Sequence, residues 1–326
     1  MKSSDAVILI NLGTPERADA KSVRKFLREF LWDPRVVEIP RLLWWPILNG
    51  IILPFRPKRV AHAYQSIWTD QGSPLKVITE RLADKLQATL SRDQGAAAPK
   101  IVCAYSYGKQ SIAKQVQSLS SQGYDRFLLL PLYPQYSATT TGSVYDQWAE
   151  IIRSHRDIPD IRIHKSYSAR PDFIAGLVQS IQAHWQAQGR SEKLLFSFHG
   201  IPQRNVDLGD PYEAQCLQTA RDVADSLGLE SAQWQVSFQS RLGKAEWLKP
   251  YTDKLLAQWG AESVESVDVI CPAFSIDCLE TLEEIQVENR DLFLASGGKA
   301  YHYIPCLNDS DAQVFLLSNI VLESFA

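Results

Sequence analysis

Short apolar runs rich in β-branched and aromatic residues alternate along this chain with longer stretches of helical periodicity. That alternation restricts the fold to parallel sheets covered by helices. The runs at 6–10, 101–104, 127–132, 194–198, 234–238 and 267–270 are bounded by Gly, Pro or Ser and have strand length. Between them, Ser22–Phe30, Leu75–Leu90, Ser111–Leu119, Pro171–Gln186, Tyr212–Leu227 and Trp247–Gln258 carry helical patterns, and Asp311–Glu323 reads as a final helix. Parallel strands need long crossovers, and these helices supply them. Val7–Gly13 and Leu194–Gly200 are both strands that end in glycine and enter a loop, which suggests two similar halves. The division is expected near His164–Tyr167, separating an N-terminal lobe at 1–165 from a C-terminal lobe at 166–326.

With 326 residues, 45% of them hydrophobic and 22% charged, the chain can bury the core of one or two such α/β lobes. A net charge of −3 argues against nucleic acid as a partner. The first strand, Ala6 to Ile10, begins almost at once with no basic start and apolar run before it, so a cytoplasmic location is expected. Five cysteines (103, 216, 271, 278 and 306) form no close Cys-x-x-Cys pair, which points to reduced thiols. No Gly-x-Gly-x-x-Gly, P-loop or Gly-x-Ser-x-Gly motif supports nucleotide binding or a nucleophile elbow.

Two strand ends carry residues suited to chemistry. In the first, Val267, Val269 and Ile270 read as a buried strand stopped by Pro272, with Ser275 or Asp277 placed to cap the helix behind it. Glu280, Glu284 and Glu288 then recur at i, i+4 and i+8, so three carboxylates share one helical face. Like charges at that spacing favour a bound cation or proton, whereas Glu284 and Glu288 fit a solvated face equally well. Glu280 stands apart because it lies in the first turn beside Phe274 and Asp277, where a strand end meets a crevice. In the second, Leu194–Phe198 delivers His199 to the carboxyl end of a strand. There an imidazole can exchange protons near neutral pH or bind a metal; a satisfied structural histidine is the alternative.

The pairing of Ser-Phe-His-Gly-Ile-Pro at 197–202 with Cys-Pro-Ala-Phe-Ser-Ile-Asp-Cys-Leu-Glu-Thr-Leu at 271–282 resembles the ferrochelatases, which insert ferrous iron into a porphyrin. Other matches follow in the family's order. They are Asn-Leu-Gly-Thr-Pro at 11–15, Gly-Ser-Pro-Leu at 72–75, Leu-Tyr-Pro-Gln-Tyr-Ser at 132–137 with Thr-Thr-Thr-Gly at 139–142, and Gly-Asp-Pro-Tyr at 209–212. Phe-Gln-Ser-Arg-Leu-Gly at 238–243, Trp247 and Tyr-Ile-Pro-Cys-Leu-Asn at 303–308 complete the set.

The resemblance implies two Rossmann-like, doubly wound lobes with a cleft between them, the last helix packing back on the first lobe. It implies insertion of ferrous iron into protoporphyrin IX to form protohaem, with His199 and Glu280 as catalytic and metal-binding residues. Leu12, Tyr64, Ser73, Tyr107, Ser137, Trp247 and Phe274 would contact porphyrin, and Asp277, Glu284 and Glu288 would form a track for protons or metal. Iron is then a substrate, no prosthetic group is implied, and a porphyrin-supplying enzyme is a candidate partner. Some members hold a two-iron, two-sulfur cluster on a cysteine-rich C-terminal extension, but here only Cys306 lies near the end of the sequence, so no cluster is expected.

The segment at 41–55, Arg-Leu-Leu-Trp-Trp-Pro-Ile-Leu-Asn-Gly-Ile-Ile-Leu-Pro-Phe, is strongly apolar, yet too short and too interrupted to span a bilayer. It fits either a buried helical hairpin or the apolar lip that the family carries at the cleft mouth, in peripheral contact with the inner face of the membrane. Adjacent Trp44 and Trp45 cannot both face one side of a helix, which favours the lip. Arg56, Lys58 and Arg59 behind it could meet lipid head groups or porphyrin propionates, or form a solvated turn.

Three positions depart from better-known members. Cys278 stands where several have histidine, Ser106-Tyr107-Gly108 where many have Arg-Tyr-Gly, and Leu12 where the coproporphyrin branch has tyrosine. The last favours protoporphyrin. A chelatase for a more polar tetrapyrrole such as coproporphyrin or sirohydrochlorin, and a non-catalytic porphyrin or haem carrier, are the alternatives.

Overall fold

A computed structural model describes residues 4–153, 155–243 and 245–326. Two compact units are present. One comprises 1–132, 137–165 and 314–326, and the other comprises 133–136 and 166–313.

The first unit holds strands β1 (Asp5–Asn11), β2 (Lys100–Tyr105), β3 (Arg126–Pro131) and β4 (Asp160–Ile163). They form a parallel sheet in the order β2-β1-β3-β4. Its helices are α1 (Ala20–Trp32), α2 (Arg41–Ile47), α3 (Leu53–Ile67), α4 (Pro74–Gln94), α5 (Ile112–Ser121) and α6 (Ser143–Ile152). Asp19 caps α1 through the Ser22 amide, and Pro74 occupies the first turn of α4, where its missing N–H costs nothing. One face of the sheet packs Ile8, Ile10, Phe127 and Leu129 against Val116, Val144 and Trp148. At about 1.5–3 kcal/mol for each fully buried large apolar side chain, this face is a main source of the unit's stability.

The second unit repeats the plan. Strands β5 (Lys193–His199), β6 (Trp234–Gln239), β7 (Ser266–Ile270) and β8 (Ala300–Ile304) pair in parallel in the order β6-β5-β7-β8. Helices α7 (Pro171–Gln188), α8 (Gln203–Asp207), α9 (Tyr212–Ser226), α10 (Thr252–Ala261) and α11 (Arg290–Ala295) accompany them. Leu195, Val267 and Val269 meet Leu256, Trp259 and Phe293 in this unit's core. The last helix, α12 (Asp311–Phe325), groups with the first unit from Val314 onward.

In each sheet the strand order reverses between the first and third strands in sequence, β1 and β3 or β5 and β7. Crevices that receive ligands open at such reversals, beyond the carboxyl ends of the strands. In each unit, too, the third strand leads through a loop into a wide helical segment with i→i+5 character, Ala138–Gly142 after β3 and Glu280–Asn289 after β7. Such segments concentrate at functional sites.

Several local expectations are corrected. Strands β4 and β8 escape the reading of apolar runs because Asp160–Ile163 and Ala300–Ile304 alternate with charged or polar side chains. The helix expected at Trp247–Gln258 starts only at Thr252, since Pro250 disfavours helix in the residue before it. Segment 41–55 is an almost continuous helical path, α2 joined to α3 through a wide turn at Leu48–Ile52.

Candidate active site

His199 is the last residue of β5, and the loop that carries Phe274 and leads to Glu280 leaves β7, the neighbouring strand across the order reversal. Backbone geometry holds the histidine in place. The Gly200 amide donates to Gln239 O at 2.8 Å, and a Cβ at Gly200 would lie 2.8 Å from that oxygen and 3.2 Å from the Trp247 ring. Only glycine lets the end of β6 and the Trp247 indole approach this closely. The Tyr212 hydroxyl donates to His199 O at 2.9 Å, and Trp247 Nε1 donates to Leu242 O at 3.0 Å.

The imidazole is oriented by one short contact, His199 Nδ1 to Gly200 O at 2.6 Å. A carbonyl oxygen can only accept, so Nδ1 carries the proton and Nε2 of the neutral ring keeps its lone pair. Burial pushes the His199 pKa below the ordinary histidine value, while the charge of Glu280 and the Gly200 bond pull the other way. The ring is therefore a neutral base at physiological pH, and the Phe274 ring stands 6.2 Å from it at 58°.

Glu280 opens the wide helix Glu280–Asn289, and its carbonyl accepts from Gln239 Nε2 at 3.1 Å. An i→i+5 pattern loosens the usual backbone ladder, and side chains satisfy carbonyls within it. Asn289 Nδ2 donates to Glu284 O at 2.8 Å, and the Tyr301 hydroxyl donates to Ile285 O at 2.7 Å. Glu284 accepts from the Ser240 amide at 2.8 Å through Oε1 and from the Ser240 hydroxyl through Oε2. Ser240 reaches it from a left-handed backbone conformation, φ 66°. Burial raises the Glu284 pKa to about 7, with the charges of Glu280 and Glu288 adding to the rise and the Ser240 bonds opposing it. Glu288 is exposed further along the same helix.

Asp277 has a different environment from these glutamates. Its Oδ1 accepts from the Tyr303 and Thr281 hydroxyls, and its Oδ2 accepts from Asn308 Nδ2 at 2.6 Å. Both oxygens are committed, and Asp277 N in turn donates to Asn308 Oδ1 at 2.8 Å, so the carboxylate anchors the loop. Neither expected cap acts on the backbone amides of the following helix. Asp277 bonds the Thr281 hydroxyl, and Ser275 Oγ pairs with the Tyr167 hydroxyl at 2.6 Å. Burial pushes the Cys278 thiol well up, and the charge of Glu280 pushes it further, so it stays protonated at neutral pH.

The first unit gathers another group of the expected porphyrin contacts. The Tyr107 amide donates to Leu12 O at 3.1 Å, and Gly13 (φ 106°) would place a Cβ 2.2 Å from Tyr107 O, so glycine is required where these loops meet. Ser73 Oγ accepts from Thr14 Oγ1 at 2.9 Å beside them. The Tyr107 hydroxyl donates to Asp33 Oδ2 at 2.8 Å. Ser137 caps the wide turn after β3 through the Thr139 amide at 3.2 Å, and Tyr64 packs edge-on to Trp68 at 5.9 Å. A cavity of about 770 Å³ in this unit is lined by Ser106, Tyr107, Trp32, Trp45 and Arg28. Arg28 thus brings a guanidinium to the cavity that Ser106 lines.

Arg28, Gln239 and Ser240 are polar neighbours that reasoning from sequence missed. Gln239 and Ser240 sit inside the matched segment at 238–243, but nothing in a serine announces a left-handed turn aimed at a carboxylate. Arg28 is one of several cations on an amphipathic helix and carries no signal of its own.

The family model described as Ferrochelatase matches residues 4–325. Ferrochelatase 1 of Shewanella oneidensis is 52% identical over 317 residues, covering 97% of this chain and 95% of its own length. The ferrochelatase of Aeromonas hydrophila is 47% identical over 326 residues, the full length of both chains. Among solved structures, SirB from Bacillus subtilis with Fe3+ aligns with a TM-score of 0.59 at 10% identity, covering 99% of this chain and 96% of that one. At that identity the likeness shows the fold alone.

Proposed function

The chain belongs to the ferrochelatase family, and on that premise we propose that it inserts ferrous iron into protoporphyrin IX to form protohaem, with His199 and Glu280 carrying the chemistry. The observation that supports this most is the neutral imidazole at the end of β5, its Nδ1 proton fixed on Gly200 O and its electrostatics tied to Glu280 at the start of the wide helix that follows the adjoining strand.

Metallation requires the two pyrrole N–H protons to leave so that the lone pairs of all four ring nitrogens can take the iron, one ferrous ion entering for two protons lost. His199 Nε2 accepts a pyrrole proton. Glu280, at the start of the acidic helix, takes the second or helps the hydrated ion shed water, since carboxylate and imidazole bind ferrous iron loosely enough to release it. Glu284, whose pKa near 7 lets it exchange protons at neutral pH, passes them along the helix toward exposed Glu288. Asp277 serves as anchor for this helix and not as a carrier, because its two oxygens already hold four donors. Protonated Cys278 supplies neither a base nor a thiolate ligand. Phe274 and Trp247 offer apolar surface to the macrocycle, and the family resemblance makes Leu12, Tyr64, Ser73, Tyr107 and Ser137 further candidate porphyrin contacts. Arg28 supplies a cation for a propionate where Ser106 does not.

The test is direct. Purified protein should consume protoporphyrin and ferrous iron to give protohaem, and should turn over coproporphyrin or sirohydrochlorin far more slowly. Binding without turnover would leave a carrier; preference for the polar ring would reassign the substrate.

Ser240 bonds stabilise the Glu284 carboxylate, so their partial loss should raise its pKa further. Ser240→Gly keeps the amide donor, tolerates φ 66° and removes the hydroxyl. The acid limb of the pH profile of kcat is expected to move upward from about 7, because the carboxylate must lose its proton to act. An unmoved limb would take Glu284 out of the relay.

The exposed apolar side chains of the lip are proposed to meet a membrane surface. Leu42, Phe55 and Trp45 are 92%, 75% and 60% exposed, whereas Trp44 is 5% exposed and donates to Leu31 O at 2.7 Å. No helix among the described residues is long and apolar enough to cross a membrane, so the contact is interfacial. Replacing Leu42, Leu43 and Phe55 with serine should reduce liposome binding about a hundredfold or more while leaving chelation in detergent near normal; each large side chain withdrawn from the interface removes roughly 1–2 kcal/mol. Equal liposome binding by the variant would remove the membrane role. Trp44 stays in place because its loss would open the core.

A further inference from the structure

Asp268 on β7, His302 on the neighbouring β8 and His184 on α7 bring two imidazoles and a carboxylate together in the second unit. We infer that these three side chains form a second metal site, which takes a divalent first-row transition ion of the zinc, cobalt or ferrous class.

One ligand atom from each residue lies within 4.8 Å of the other two. His302 Nδ1 is 3.1 Å and His184 Nε2 is 3.5 Å from Asp268 Oδ1. Around a tetrahedral ion with bonds of about 2.0–2.2 Å, adjacent ligand atoms stand about 3.3–3.6 Å apart. Both histidine–aspartate pairs are therefore close to coordination spacing, and only the separation of the two rings, 5.6 Å between centroids, must close.

The surroundings are those of a ligand set held ready. Asp268 has a side chain only 1% exposed, and its second oxygen is fixed by Trp185 Nε1 at 2.7 Å and by the Ser191 amide at 3.1 Å. The Ser191 hydroxyl adds a bond to Oδ1 at 2.7 Å. Outer donors of this kind orient a ligating carboxylate. His184 Nε2 is buried and makes no hydrogen bond among the described residues, although it faces the Asp268 oxygen. A buried ring nitrogen left without a hydrogen bond is costly, and an ion would satisfy it. His302, 33% exposed, leaves a path for entry. Imidazole and carboxylate together select zinc, cobalt, nickel or iron over magnesium or calcium, and three protein ligands leave room for water.

This site is separate from the chelation chemistry. Asp268 is in register with Leu194, and His199 lies five residues further along β5, about 16 Å at the rise of a strand. An ion here would tie α7, β7 and β8 together and stabilise the second unit in its folded form.

Cobalt(II) titrated into the full chain without porphyrin, followed by ligand-field absorption and by quenching of indole fluorescence near Trp185, should show an ion bound at this site. His302→Gln and His184→Gln should each weaken that binding about a hundredfold, and His199→Ala should leave it in place. Zinc at a hundred times its Kd should raise the folding constant about a hundredfold in the wild type and not in His302→Gln. In a zinc-soaked wild-type crystal, anomalous scattering should place an ion against Asp268, a result that does not depend on any variant folding. Unchanged affinity in both glutamine variants, loss of all cobalt binding with His199→Ala, or an anomalous peak only elsewhere would overturn the proposal.

Discussion

His199→Ala should lower kcat for iron insertion by about a hundredfold or more, the scale at which a positioned general base contributes. The expectation rests on the ring's environment. Burial keeps the imidazole neutral, the Gly200 carbonyl holds the proton on Nδ1, and Nε2 is left as the basic atom. Alanine removes that atom while the backbone bonds from Tyr212 to His199 O and from Gly200 to Gln239 O remain, so the strand end keeps its shape. Porphyrin affinity, measured by fluorescence quenching, should change little because Phe274 and Trp247 are untouched. Added imidazole should restore part of the rate. Near-normal insertion by the variant would remove His199 from the proton path, and a loss of affinity matching the loss of rate would recast it as a binding residue. The imidazole itself, followed by NMR in the wild type, should titrate below the ordinary histidine range, since burial lowers its pKa, so protonation disables this base only below the Glu284 limb.

The parts of this molecule that sequence discloses are those set by periodicity. Apolar runs such as Leu194–Phe198 and Val267–Ile270 are buried strands because both faces of a parallel sheet are covered, and that same burial makes their ends abrupt enough to mark His199 and the loop before Glu280. Edge-proximal β4 and β8 lack this signal, since a partly covered strand tolerates Asp160, Arg162 or His302. The acidic face was legible as spacing, but its meaning was not. Glu280, Glu284, Glu288 and Asp277 are alike as letters and differ only through their partners. Ser240, in a left-handed turn, tunes Glu284, whereas Tyr303, Thr281 and Asn308 occupy Asp277 completely. The wide helix was likewise hidden, because its extra width depends on Asn289 and Tyr301 satisfying carbonyls inside it. Adjacent Trp44 and Trp45 show the opposite case, in which helical geometry points the two side chains in different directions, and Trp44 is buried while Trp45 is exposed.

Glu280→Gln should cut kcat by about a hundredfold, because it keeps the size and hydrogen bonding of the side chain while removing the charge that receives a proton or dehydrates the ion. The fold should hold, since the link from Gln239 to this residue goes to the backbone carbonyl, which the substitution leaves intact. Removing the Glu280 charge also withdraws one of the influences that raise the Glu284 pKa and one that raises the His199 pKa. Both groups should therefore titrate lower in the variant, and its residual activity should extend further into acid than the wild type's. That shift separates an electrostatic partner of the relay from a residue that merely fills space. The double variant His199→Ala, Glu280→Gln decides whether the two groups serve one event. If a pyrrole proton and the incoming iron must be handled together, the second substitution should cost little beyond the worse single variant, as for residues that act as a unit. Multiplicative losses, on the order of ten-thousandfold in all, would mean that His199 and Glu280 lower separate barriers, one for deprotonation and one for metal delivery. A Glu280→Gln enzyme with an unchanged rate would leave His199 as the sole base of the pair and would move metal entry away from the acidic helix.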